Sequence, residues 1–174
     1  MPMERTRVVA ELRAWALAVA AVIGLASPAG ADATRRAILT DGDCAARLVR
    51  AAAAASPTVA SLVEELGNSS DVIAVVELTR EPFDALGDLR LQAVAGGVRY
   101  LRIRIKADLK RWEQIAMLGH ELQHAREVAQ APDVRDEAGL ARLMRRIGRE
   151  VYKGRFETAA AIEVAVRVRR EIAR

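Results

Sequence analysis

The sequence predicts an α+β domain: a short β-sheet with a hairpin, packed on one central helix and flanked by further helices at both ends. Three observations carry this reading. Helical signals fill the chain up to Gly67 and again from Asp108 onward, while β-branched runs lie between them. Gly96-Gly97 separates two of those runs and is a two-residue hairpin signal. No internal repeat and no composition shift divides residues 32–174, which read as a single domain.

The elements follow in order. Asp41 or Asp43 can cap a helix running through Ala45 and Val49 into Ala51–Ala55. Ser56-Pro57 supplies an N-cap and a first-turn proline for a second helix, which Gly67 closes. Val72–Leu78 reads as a strand, and Leu91–Ala95 and Val98–Ile105 as the arms of the hairpin. In the second arm Leu101, Ile103 and Ile105 alternate with Arg102, Arg104 and Lys106, so one face is buried and the other is basic. Asp108 can cap the central helix, which ends near Ala129 before Pro132. Two more helices are expected, near Asp136–Val151 and Phe156–Ile172.

Composition bounds the function classes. With 174 residues, 52% of them hydrophobic and 29% charged, the chain can bury a substantial core. A single cysteine, Cys44, excludes an intrachain disulfide and any Cys-rich metal site, and is expected as a small core residue. The net charge of +4 permits attraction to anionic surfaces. With only 3% aromatic residues there is little for bases to stack on, so nucleic acid is not an expected partner.

Residues 1–31 read as a leader. Arg5, Arg7 and Arg13 precede the uncharged run Ala14–Ala26, and Ala29-Gly30-Ala31 offers the small residues a signal peptidase needs. The run is shorter than the ~20 residues of a membrane-spanning helix. The expectation is a processed, exported protein, periplasmic or secreted, with no stable membrane span after cleavage.

The most informative segment is Met117-Leu-Gly-His-Glu-Leu-Gln-His-Ala-Arg126, which holds both histidines of the chain. At ~100° per residue, His120 and His124 share one helix face one turn apart, so two imidazole nitrogens can meet one tetrahedral metal. Glu121 is turned ~100° from His120, where it can reach a water on that metal and take its proton. Ile115, Leu118, Leu122, Ala125 and Ala129 form an apolar spine on the other side, sufficient to dock the helix on the sheet.

On these residues, and on the hairpin that enters the helix, the chain resembles the zincin metallopeptidases. The metzincin branch does not fit, because its later Gly and third His would fall at Glu127 and Gln130. The resemblance therefore implies a gluzincin-like site, with Zn2+ as the cofactor and a glutamate of a later helix as the third ligand. Arg126 stands where the family usually has an apolar residue, and Ala161 where gluzincins often have an aspartate. The chain is also similar to small exported bacterial proteins that share its G-H-E-L-Q-H segment and its later F-E-T segment.

Helix faces rank the acids that could be the third ligand, with another acid or none also open. In the expected last helix Ala160, Ala161, Val164, Val168 and Ile172 form an apolar stripe from whose middle Glu157 projects, and a buried carboxylate needs a cation. Glu163 lies off that stripe with Arg167 and Arg170 and reads as solvated. Glu127 is the rival, since it shares the His face, although a role holding an imidazole N–H suits it better. Tyr152, between Gly148 and Gly154, is the expected donor to a developing oxyanion, with Tyr100 as the other phenol. Arg142, Arg145, Arg146 and Arg149 form a basic stripe that reads as a solvated face or as a contact to an anionic envelope surface. The expected function is a zinc-dependent hydrolase acting on a peptide or protein, with His120, His124 and Glu157 as ligands and Glu121 as general base. The alternative is a zinc-stabilised, catalytically silent binding protein.

Overall fold

The computed structural model describes residues 38–174, so the expected leader at 1–31 lies outside the described residues. The elements are β1 (Ile38–Asp41), α1 (Gly42–Ala55), α2 (Pro57–Gly67), β2 (Val72–Thr79), β3 (Gly87–Ala95), β4 (Val98–Lys106), α3 (Arg111–Ala129), α4 (Glu137–Ile147), β5 (Arg149–Tyr152), β6 (Arg155–Glu157) and α5 (Ala159–Ile172). The architecture is α+β, as the sequence predicts. A four-stranded sheet has the order β1-β2-β4-β3, with β1, β2 and β4 parallel and β3 antiparallel at the edge. β5 and β6 form a separate two-stranded hairpin.

Period-two alternation in β4 buries Leu101, Ile103 and Ile105 completely, and they meet Val72, Ala74 and Val76 of β2 in the core. On the opposite face the basic residues are paired: Arg102 with Glu77 at 2.8 Å and Arg104 with Asp88 at 2.8 Å. The hairpin turn at Gly96-Gly97 has both residues at positive φ, 57° and 84°, which glycine adopts without strain. Ser56 caps α2 by accepting from the Val59 amide, with Pro57 in the first turn.

The central helix α3 is enclosed by α1, α2, α5, β3 and β4. Its expected spine is buried at Ile115, Leu118, Leu122 and Ala125, and each fully buried leucine contributes about 1.5–3 kcal/mol relative to exposure. The side bearing the histidines is buried as well. Gly119 permits the tight crossing with α5, because a Cβ there would lie 2.9 Å from Val168 Cγ2. At the other end of the helix the fully buried Arg99 of β4 donates to the carbonyls of Val128 and Ala131, at 2.7 Å each, and to Asp71 at 2.7 Å. The guanidinium adds a second donor to carbonyls that already accept the Ala131 and Val134 amides, and its charge complements the helix dipole.

Several expectations need correction. β1 was not anticipated, and it is a four-residue edge strand in which only two positions are partly buried. β3 begins at Gly87, earlier than Leu91. α3 starts at Arg111, after Lys110 and not after Asp108, because the Glu113 carboxylate accepts the Lys110 amide and closes the first turn. α4 stops at Ile147, since Gly148 and the β-prone Val151-Tyr152 turn the chain into the hairpin. Phe156 and Glu157 consequently lie on β6, and α5 begins only after the N-cap Thr158. Of the last stripe Ala161, Val164 and Val168 are buried, whereas Ala160 is exposed. Cys44 is exposed on α1 beside Arg47 and is no part of the core.

Arg99→Leu is expected to lower stability by about 1.5–3 kcal/mol, because the charge-assisted hydrogen bonds to two carbonyls and to Asp71 are lost inside the protein. Asp71→Asn, which leaves both carbonyl contacts in place, should have a smaller effect. Urea unfolding of both variants beside wild type measures the difference.

Candidate metal centre

α3 presents His120 and His124 one turn apart, and β6 brings Glu157 to them. Glu157 Oε2 lies 2.7 Å from His120 Nε2 and 3.3 Å from His124 Nε2, while the two Nε2 atoms are 3.2 Å apart. The imidazole planes are nearly perpendicular, at 83°. Two ligand atoms held about 2.0–2.1 Å from one tetrahedral zinc would be separated by about 3.4 Å. Two edges of the donor triangle are close to that distance, and the third, between His120 and Glu157 at 2.7 Å, is that of a hydrogen bond.

Hydrogen-bond chemistry supports the same fit. His124 Nδ1 faces Glu127 Oε2 at 2.9 Å, and an ionised carboxylate only accepts. Nδ1 thus carries a proton, and His124 Nε2, once it gives up its own proton, would offer its lone pair toward His120 and Glu157. Two imidazole nitrogens and a carboxylate oxygen then converge on one point, where a cation or a proton must sit. His120, His124 and Glu157 fit a divalent metal with nitrogen and oxygen preferences such as zinc.

Glu127 stands outside the triad and hydrogen-bonds to His124. Its Oε1 accepts from the Thr158 hydroxyl at 2.7 Å and from Gln123 at 3.3 Å, in addition to the contact with His124. Thr158 also accepts the Ala161 amide at 3.1 Å, so one hydroxyl links the start of α5, the orientation of His124 and the residue after Glu157. Gly148 sets the height of β6: a Cβ there would fall 2.7 Å from Met144 O and 3.0 Å from the Glu157 carbonyl oxygen. Thr158 and Gly148 escaped the sequence reading as site residues. A Thr ahead of an apolar run was a legible cap signal, whereas nothing in the sequence pointed to its contact with Glu127.

Glu121 is buried beside the triad and makes no hydrogen bond to a described residue. Two cavities meet at Gly87, Glu121, Arg155 and Glu157. The one on the His124 side, about 170 Å³, is walled by Leu89, Leu140, Met144 and Phe156. The one on the His120 side, about 390 Å³, carries Asp84, Leu86, Lys106 and Met117. Arg155 borders both, donating to the Asp84 carbonyl at 2.7 Å with Nη2 3.8 Å from Glu157 Oε1. Tyr152 is not brought to the cleft: it is 75% exposed on β5. Tyr100 lies on the sheet face opposite the buried Leu101, and Glu163 is solvent-exposed on α5.

The three glutamates have different proton affinities. Burial alone would raise the Glu157 carboxyl, but the hydrogen bonds of His120 and His124 outweigh it and hold the group well below the usual carboxylate range. Glu127 is likewise held low against its burial, by His124 and Thr158. Glu121 lacks such partners, and burial pushes it up to about 7 although both imidazoles pull it down. Burial would lower His124, yet Glu127 and Glu157 raise it to about 10.

A metal must displace the proton that the metal-free cluster keeps on His124. Because that group binds its proton up to pH about 10, zinc affinity should rise with pH by about one decade per unit between pH 6 and 8, corresponding to about one proton released. Competition with a chromophoric chelator across this range measures the slope; a flat profile would place the proton elsewhere.

No protein-family model matches the chain, and no curated protein or solved structure matches it either.

Proposed function

We propose that the chain is a zinc-dependent hydrolase of zincin type, acting on a peptide or protein outside the cytoplasm. The observation that supports this best is the convergence of His120 Nε2, His124 Nε2 and Glu157 Oε2 within 3.3 Å of one another, with a buried, unpaired Glu121 beside them. Zinc held by these three residues supplies a Lewis acid that makes a water nucleophilic near neutral pH. Export rests on the leader-like residues 1–31.

The chain's own groups divide the remaining work. Glu121, buried beside the triad without a hydrogen-bond partner, is placed to take a proton from the attacking water and pass it to the leaving amine as the C–N bond breaks. Glu127 and Thr158 keep His124 in the tautomer that offers its Nε2 lone pair. For the substrate's carbonyl oxygen, Arg155 at the junction of the two cavities is better placed as a donor than Tyr152. The second reading, a zinc-stabilised binding protein without turnover, is favoured by the 3% exposure of Glu121, which leaves a proton acceptor little access.

Metal analysis tests the ligand set. About one zinc per chain is expected, with Glu157→Ala weakening binding by at least about a hundredfold and Glu163→Ala leaving it unchanged. Loss confined to Glu127→Ala would promote that residue to ligand.

Glu121→Gln separates the two readings. Gln keeps the size of the side chain but cannot take the proton, so zinc content and fold should persist while cleavage of an unbiased peptide library falls about 10²–10⁴-fold. Zinc-loaded wild type that cleaves nothing in the library, or a Gln variant as active as wild type, would instead support the binding protein.

A further inference from the structure

We propose that the stretch Arg145–Gly154, which joins the end of α4 to the first strand and turn of the hairpin, docks on an anionic lipid surface. Every residue in it except Gly148 is exposed. Arg145, Arg146, Arg149 and Lys153 stand against Glu150 alone, a net +3 within ten residues when the whole chain carries +4. Of the eight large hydrophobic side chains exposed among the described residues, three belong to this stretch: Ile147 at 43%, Val151 at 49% and Tyr152 at 75%. Exposed apolar side chains interspersed with cations in one short segment mark an interaction surface.

The charges are available for a partner. Arg146 approaches only Asp133, at 4.0 Å, and among the described residues Arg145, Arg149 and Lys153 form no ion pair. The single acid is folded back, since Glu150 Oε1 accepts the Gly154 amide of the hairpin's own turn at 2.7 Å. Cations meet lipid phosphates while a phenol and aliphatic tips sit at the headgroup boundary, so a bilayer satisfies both halves of the patch. A second copy of the chain would oppose like charges, and a nucleic acid would leave Val151 and Ile147 without an apolar medium. Arg149 pairs in register with Glu157, so the docking surface and the metal triad share one two-stranded unit. Such docking requires no hydrolysis.

Sedimentation with vesicles tests it, using the protein with the N-terminus it carries in cells. The readout is the excess bound to phosphatidylcholine vesicles containing phosphatidylglycerol over pure phosphatidylcholine, so any apolar contribution of residues 14–26 cancels. The excess should fall at least about tenfold in Arg145→Glu/Arg149→Glu, drop several-fold in Tyr152→Ser and at high salt, and persist in the charge-matched control Arg50→Glu/Arg80→Glu. Circular dichroism checks folding, and Arg145→Gln/Arg149→Gln replaces the double variant if it fails. No excess for wild type, or an equal loss in the control, overturns the proposal. So does DNA capture as strong as vesicle capture with Tyr152→Ser unaffected, which would mark a general polyanion site.

Discussion

The structure depends on a helix that is enclosed beyond its first turn and still carries six polar residues inward. Gln114, His120, Glu121, Gln123, His124 and Glu127 of α3 are all below a tenth exposed. An enclosed helix made of apolar residues would pack with no further requirement, but here each polar side chain must find a partner inside or remain a destabilising group. The surrounding elements supply part of them, the helix itself pairs Gln123 and His124 with Glu127, and Glu121 has no hydrogen-bond partner among the described residues. β6 contributes Glu157, the first residue before α5 contributes Thr158, and β4 contributes Arg99 at the helix end.

These contacts are coupled through short covalent links. Glu157 and Thr158 are neighbours, so the residue that meets the two imidazoles and the one that fixes Glu127 move together. Thr158 also caps α5, whose Val164 and Val168 pack where Gly119 lets α3 approach. A change in the α3–α5 crossing therefore shifts Glu157 relative to the histidines. Gly148 adds a second constraint, because its close approach to the Glu157 carbonyl positions β6 from the α4 side. The triad is held by three packed elements and not by one flexible loop, the arrangement that preorganises a coordination site.

The site was more legible in the sequence than the chain path that builds it. His120, Glu121 and His124 stand on one helix whose spacing fixes their relation, and β4 alternates without interruption, so local periodicity was enough. Glu157 was selected because a carboxylate near an apolar stripe needs a cation. It does meet the imidazoles, but from a three-residue strand and not from the last helix. The segment from Arg145 to Thr158 alternates basic and β-prone residues around two glycines, a pattern compatible with either a helix or a hairpin. Tertiary contacts decide between them: Gly148 against β6, and Thr158 on both Glu127 and the α5 amide. β1 was invisible for a related reason, since four residues at a sheet edge owe their conformation to pairing with β2. Tyr152 was selected for its chemistry alone, and the same misread hairpin carries it outward.

Environment, more than residue type, assigns the chemistry of the three glutamates. Glu157 and Glu127 are both buried enough to favour protonation, and both remain ionised because imidazole and hydroxyl groups donate to them. Glu121 faces the same imidazoles without a hydrogen bond from either, so burial dominates and its carboxyl rises to about 7. Two acids fixed as anions suit holding a cation and orienting its ligand. One acid poised near neutrality, bordering both cavities, suits proton exchange. The difference in proton affinity thus resides in β6 and the α5 cap as much as in the helix that carries the histidines.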